Sequence, residues 1–154
     1  MDAQTSYFCA ALDAAAAQVK ENIPVFGKEF PLPCTRNGVY STDINTDWTP
    51  GFYTGMCWLA YEATGEDVFR IAALQQVDSF AARLVCNENL DHHDLGFLYT
   101  PSCVAGYQLT GSTAARNAAL EAAARLTKRY QPIGQFLQAW GQINDRKEYR
   151  LIID

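Results

Sequence analysis

The sequence predicts an all-α fold built from repeated helical hairpins, and three observations carry that prediction. First, the 154-residue chain repeats itself. Tyr61-Glu62-Ala63-Thr64-Gly65 realigns with Tyr107-Gln108-Leu109-Thr110-Gly111 at a shift of 46, which also brings Arg70 onto Arg116, Ala73 onto Ala119 and Tyr53-Thr54 onto Tyr99-Thr100. Second, each unit runs in the same order: an apolar helix, a glycine, a capping residue, an amphipathic helix. Third, the chain opens on an alanine-rich stretch, and alanine is the strongest helix former.

Taken in order, residues 3–21 form the first expected helix, with Phe8, Leu12, Ala15, Ala16 and Val19 on one side at three- and four-residue spacing. Pro24, Gly27, Pro31, Pro33 and Gly38 then punctuate a long loop, residues 22–50, of a length associated with function or with poor order. The first helices of the two units, 52–63 and 98–109, are apolar nearly all round, as expected of helices buried on every side. Gly65 and Gly111 suit the left-handed position that closes a helix. The second helices start near Asp67 and Ser112, both good N-caps. Over 68–84, Val68, Ile71, Ala72, Val77, Phe80, Ala81 and Leu84 make one apolar stripe with a wet face opposite.

Such hairpins build either an open solenoid, with repeats of about 40–47 residues and a concave binding face, or a closed α/α toroid with the apolar helices inside. Large aromatics on the inner helices, Trp58 and Tyr107 among them, favour the toroid. The shift also relates Trp48 to Asp94 and Asp94 to Trp140, which places these three side chains on one rim and implies a third unit. The run Leu151-Ile152-Ile153-Asp154 breaks off at an acid, so residues 1–154 read as one partial-barrel domain, truncated at its C-terminus and able to self-associate through uncovered inner helices.

With 49% hydrophobic residues the chain is too apolar for disorder. Twelve basic against seventeen acidic residues, with no basic cluster, exclude nucleic acid and anionic membranes as partners. No segment reaches the roughly 18–20 apolar residues of a membrane span. The start of the chain lacks a basic, leucine-rich secretory signal, and the expected location is cytoplasmic. Five scattered cysteines, without CxxC or zinc spacing, argue against a disulfide framework and a zinc site. Cys57 and Cys103, within apolar runs, read as core residues.

The chemistry concentrates in Leu90-Asp91-His92-His93-Asp94-Leu95-Gly96-Phe97. In a chain only 19% charged, this puts two acids and two imidazoles at the mouth of a buried segment. Ionisable groups near a core are either paired or used. Asp91 and Asp47 read as loop or cap acids, and His92 as facing away and bonding backbone.

Several strings in this order carry a resemblance: Asp47-Trp48-Thr49, Gly51-Phe52-Tyr53-Thr54-Gly55-Met56, Trp58-Leu59-Ala60-Tyr61-Glu62, His92-His93-Asp94-Leu95-Gly96-Phe97, Gln138-Ala139-Trp140-Gly141 and Leu151-Ile152-Ile153-Asp154. From about Asn45 onward the chain resembles the N-terminal half of the unsaturated glucuronyl hydrolases, glycoside hydrolase family 88. Pro50 departs from the pattern, where many members have an acid.

The resemblance implies a six-hairpin α/α barrel, of which this chain supplies roughly the first half. It also implies removal of a 4,5-unsaturated uronic acid from the non-reducing end of lyase-generated oligosaccharides, without metal or organic cofactor. Asp154 falls on the general acid/base position and Asp94 on the second essential carboxylate. Trp48, His93 and Trp140 fall on substrate-contacting positions. Burial behind Ile152 and Ile153 is expected to raise the pKa of Asp154. Two alternatives stand beside this: a helical-repeat interaction module without catalysis, and the neighbouring hydrolases of unsaturated rhamnogalacturonan fragments, which the string around His93-Asp94 fits less well.

Overall fold

The computed structural model describes residues 3–143 and 145–153. Six helical segments dominate them: α1 (Ala3–Phe26), α2 (Pro50–Thr64), α3 (Asp67–Cys86), α4 (Leu95–Tyr99), α5 (Ala105–Thr110) and α6 (Thr113–Thr127). The all-α expectation holds, and α2 sits at the centre, packed against α1, α3 and the α4–α5 segment.

The repeat survives down to single hydrogen bonds. Gly65 and Gly111 close α2 and α5 in the left-handed region, at φ 71° and 70°, and their N–H groups donate to the Tyr61 and Tyr107 carbonyls. Thr64 Oγ1 donates to the Ala60 carbonyl while accepting from Glu66 N–H, and Thr110 does the same between Gly106 and Ser112. Ser112 caps α6 as expected, accepting from Ala115 N–H at 3.3 Å. Asp67 does not cap α3. It is the first helical residue and bonds Arg70 instead.

Several expectations give way. The helix beginning at Ala3 runs on to Phe26, carrying Pro24 within it, and only the Ala16 and Val19 end of the expected stripe is buried; Phe8 and Leu12 are exposed. The loop 22–50 holds an antiparallel hairpin, β1 (Phe30–Arg36) and β2 (Val39–Asp43). Its two-residue connection is Asn37-Gly38, both with positive φ, as a type I′ turn requires. Prolines at 31 and 33 are tolerated because the strand is an edge, where a missing ladder donor leaves no gap.

The first helix of the second unit is interrupted. Pro101 has no N–H to donate, and residues 100–104 widen into a π-helical turn between α4 and α5. Nor is α2 buried all round: Phe52, Met56 and Leu59 form an exposed stripe. On α3 the inner face turns slightly from the expected one, exposing Ile71 and burying Phe69, Gln76 and Arg83. No third helical hairpin forms among the described residues. After α6 the chain makes a short ladder, β3 (Tyr130–Gln131) with β4 (Phe136–Leu137), and then turns.

Edge-to-face aromatic contacts bind these parts: Phe30 to Phe80 at 5.7 Å and Phe80 to Tyr99 at 5.5 Å join β1, α3 and α4. Cys57 and Cys103 are core residues, as expected. Burial pushes their thiols up, to about 12 and about 11, far from nucleophilic.

Candidate functional site

Three segments meet at the N-terminal ends of α2 and α4. Trp48 ends the loop that follows β2, Asp94 stands immediately before α4, and Trp140 lies in the turn after β4. Asp94 is flanked by imidazoles: its Oδ2 lies 3.1 Å from His92 Nδ1 and its Oδ1 lies 3.4 Å from His93 Nε2. The His93 ring meets Trp140 edge to face at 5.5 Å, and His93 N–H donates to the Ala139 carbonyl at 2.9 Å. Trp48 lies 6.1 Å from Phe97 and 6.0 Å from Phe52, and those two rings are 5.5 Å apart. The structure therefore links Asp94 to Trp140 through His93, and sets Trp48 against Phe97, three residues after Asp94. Asp154 lies outside the described residues.

Both tryptophans are wet, Trp48 at 43% and Trp140 at 42% exposure, so neither is a core residue. Trp48 and Phe52 also line an open, mostly apolar cavity of about 570 Å³ beside Phe26 and Pro31. In the run 151–153, Leu151 is exposed, Ile152 half-buried and Ile153 89% exposed.

Buried polar side chains hold the rim. Arg83, 3% exposed, donates through Nε to the Glu88 carbonyl at 3.0 Å. Its Nη1 donates to Asn45 Oδ1 and the Asp47 carbonyl, and its Nη2 to the Thr46 and Asn89 carbonyls. One guanidinium thus ties the Trp48 loop to the turn before Asp94, using the planar fork of donors that lysine lacks. Burial lowers the pKa of Arg83, from a value so high that it stays cationic.

At Trp140 the pattern repeats with other residues. Arg129 donates to the Gln138 and Gly141 carbonyls, and the Gln138 amide donates to the Trp140 carbonyl at 2.8 Å. The string Gln138-Ala139-Trp140-Gly141 is thereby given a structural reason.

His92 contradicts its expected place. It does bond backbone, to the Asn89 carbonyl at 2.8 Å, but it faces Asp94 rather than away. Arg83 and Arg129 were also missed. The visible signal for Arg83 was a lone cation in residues 77–84, on the same helix face as Gln76 and Phe80. Among the described residues no group of three or more His, Cys, Asp or Glu side chains is placed to hold a metal ion, and no helix is long and apolar enough to cross a membrane.

A helical-hairpin protein with a carboxylate held between imidazoles and two exposed tryptophans on one rim is the class that fold and site define. No family model matches the chain. An unsaturated chondroitin disaccharide hydrolase of Streptococcus pneumoniae is 49% identical over 144 residues, which cover 94% of this chain and 36% of that protein. A crystal structure of an unsaturated glucuronyl hydrolase from Streptococcus agalactiae superposes with TM-score 0.89 at 46% identity, covering 93% of this chain and 36% of that one. An Asp-to-Asn mutant of the same enzyme, complexed with dGlcA-GalNAc6S, gives TM-score 0.75 at 43% identity over 79% of this chain and 33% of that one.

The resemblance to unsaturated glucuronyl hydrolases therefore holds across nearly the whole chain. The α/α toroid is the fold of those neighbours. This chain spans about a third of their length, not the half expected.

Proposed function

We propose that this chain carries one wall of the active site of a hydrolase that removes a 4,5-unsaturated uronic acid from the non-reducing end of glycosaminoglycan-type oligosaccharides produced by lyases. The observation that carries this reading is Asp94 set between His92 and His93, with Trp140 against His93. Two structures of the Streptococcus agalactiae relative add support. Each bears a single Asp-to-Asn substitution, and the two substituted positions are as far apart in that sequence as Asp94 and Asp154 are in this one.

The substrate's C4=C5 bond is a vinyl ether conjugated to a carboxylate. In the proposed reaction Asp154 gives its proton to C4, and the cation left at C5 is shared with the ring oxygen. Water adds at C5, returning a proton to Asp154, and forms a hemiketal. The hemiketal opens at its C5–O bond, which leaves C1 as a hemiacetal of the departing sugar. Collapse to the aldehyde releases the rest of the chain.

One carboxyl serves as acid and then base when its pKa lies near working pH. The carboxylate-spacing rule for retaining and inverting glycosidases has no place here, because no displacement occurs at the anomeric carbon. Trp48 and Trp140 offer broad apolar faces for sugar rings at little conformational cost, and His93 offers a hydrogen bond to substrate.

The test is the ultraviolet absorbance of the conjugated C4=C5 bond in unsaturated chondroitin or hyaluronan disaccharides. It is run on this chain and on a chain extended to the relatives' full length. Loss of absorbance that vanishes in Asp94→Asn establishes reaction and site. Activity only in the longer chain assigns the remaining site residues to the other two-thirds. No loss in either returns the repeat-module reading to first place.

A further inference from the structure

His92 lies in the same turn as Asp94 but on the core side, 6% exposed, with both ring nitrogens engaged. Nε2 faces the Asn89 carbonyl oxygen at 2.8 Å. A carbonyl only accepts, so that nitrogen carries a hydrogen. Nδ1 faces Asp94 Oδ2 at 3.1 Å. Against an ionised carboxylate Nδ1 must also carry a hydrogen; against a protonated carboxyl it must be bare. In both cases one proton lies between Nδ1 and Oδ2, and the pair as a whole is neutral.

The anchor is itself fixed, since Arg83 Nη2 donates to the same Asn89 carbonyl at 2.8 Å. With Oδ2 occupied, Oδ1 is the oxygen left beside His93 and, through it, Trp140.

We propose that His92 is a positioning residue: anchored on the Asn89 carbonyl, it holds Asp94 through one shared proton on Oδ2 and leaves Oδ1 turned toward substrate. The assignment deepens the hydrolase reading and rests on it. Among the described residues, the charged groups acting on the ring are Asp94, which favours its protonated form, and Arg83 of α3, which opposes it. Burial opposes it more strongly still. An imidazolium standing alone is thus disfavoured, and the carboxylate is what keeps a proton in the contact. The competing account makes His92 a loop anchor that needs only Nε2.

Asparagine and glutamine separate the two accounts, because an asparagine amide reaches the position of Nδ1 and a glutamine amide that of Nε2. In the extended chain, with unsaturated chondroitin disaccharide as probe, His92→Gln lowers kcat roughly 10- to 100-fold, the scale seen when a partner orienting a functional side chain is lost. KM stays within about twofold. His92→Asn recovers most of the rate. A glutamine variant equal to wild type, or an asparagine variant no better than glutamine, makes His92 a loop anchor and overturns the proposal.

If wild type hydrolyses nothing, the hydrolase reading fails separately, and the ring decides the pairing. In ¹⁵N-histidine NMR of the same chain, Asp94→Asn moves the His92 titration to lower pH. An unmoved midpoint overturns the shared proton.

Discussion

Arg83 Nη1 donates to the Asp47 carbonyl at 2.6 Å, which fixes the residue before Trp48 to a helix on the other side of the site loops. The same side chain reaches Glu88 and Asn89, so the two loops that carry Trp48 and Asp94 share one support. Replacing Arg83 with methionine keeps the packing volume and takes this donor from the buried Asn45 Oδ1 and from the part-buried Glu88 and Asp47 carbonyls. Such unmet acceptors are costlier than the bonds are worth when made. Arg83→Met is expected to lose roughly 3 kcal/mol or more, read from urea denaturation by far-ultraviolet circular dichroism. Arg83→Lys, with a compact head, restores only part. A methionine variant within error of wild type removes Arg83 as the support of the site loops.

Gly51 sets how closely α2 and α4 approach. A Cβ on it would lie 2.2 Å from the Phe97 carbonyl oxygen and 2.6 Å from that of Leu98, both backbone atoms unable to swing aside. Gly51→Ala therefore has to push α4 away, and with it Asp94 and Phe97. Overpacking of this kind costs about 1–3 kcal/mol. The expected result is a lowered melting temperature together with a loss of activity in the extended chain. Gly96→Ala has open space around its Cβ and serves as the control for stability.

How much of this was legible follows from where the forces act. Gly65, Gly111 and Ser112 were readable because caps are local: the residue type and its neighbours within one turn settle the conformation. The hairpin in 22–50 was also locally signalled, by Asn37-Gly38, but the prolines outweighed the turn in the reading. Trp140 keeps the rim position by sequence shift, yet Arg129 and Gln138 hold its segment with buried backbone bonds that periodicity does not encode. His92 was misread because His92 and His93 are adjacent and both meet Asp94, one from the core side and one from the rim. Spacing alone does not separate those roles.

The exposed apolar surface argues for association of this chain when it stands alone. Tyr7, Phe8 and Leu12 on α1 are open, and so are Phe52, Met56 and Leu59 on α2, at the spacing of a helix face built to be covered. In the longer relatives two-thirds of the chain lies beyond the part matched here, which is ample to cover both faces. Contiguous apolar patches left uncovered drive association. Sedimentation velocity is therefore expected to show concentration-dependent species for the 154-residue chain, with Met56→Glu and Leu59→Glu shifting it toward monomer. The α1 face is tested separately with Phe8→Glu and Leu12→Glu, which distinguishes association through the inner helix from association through the N-terminal one. A sample that stays monomeric at all concentrations and unfolds cooperatively would show that α2 and α1 tolerate water, and the uncovered-face argument would then be wrong.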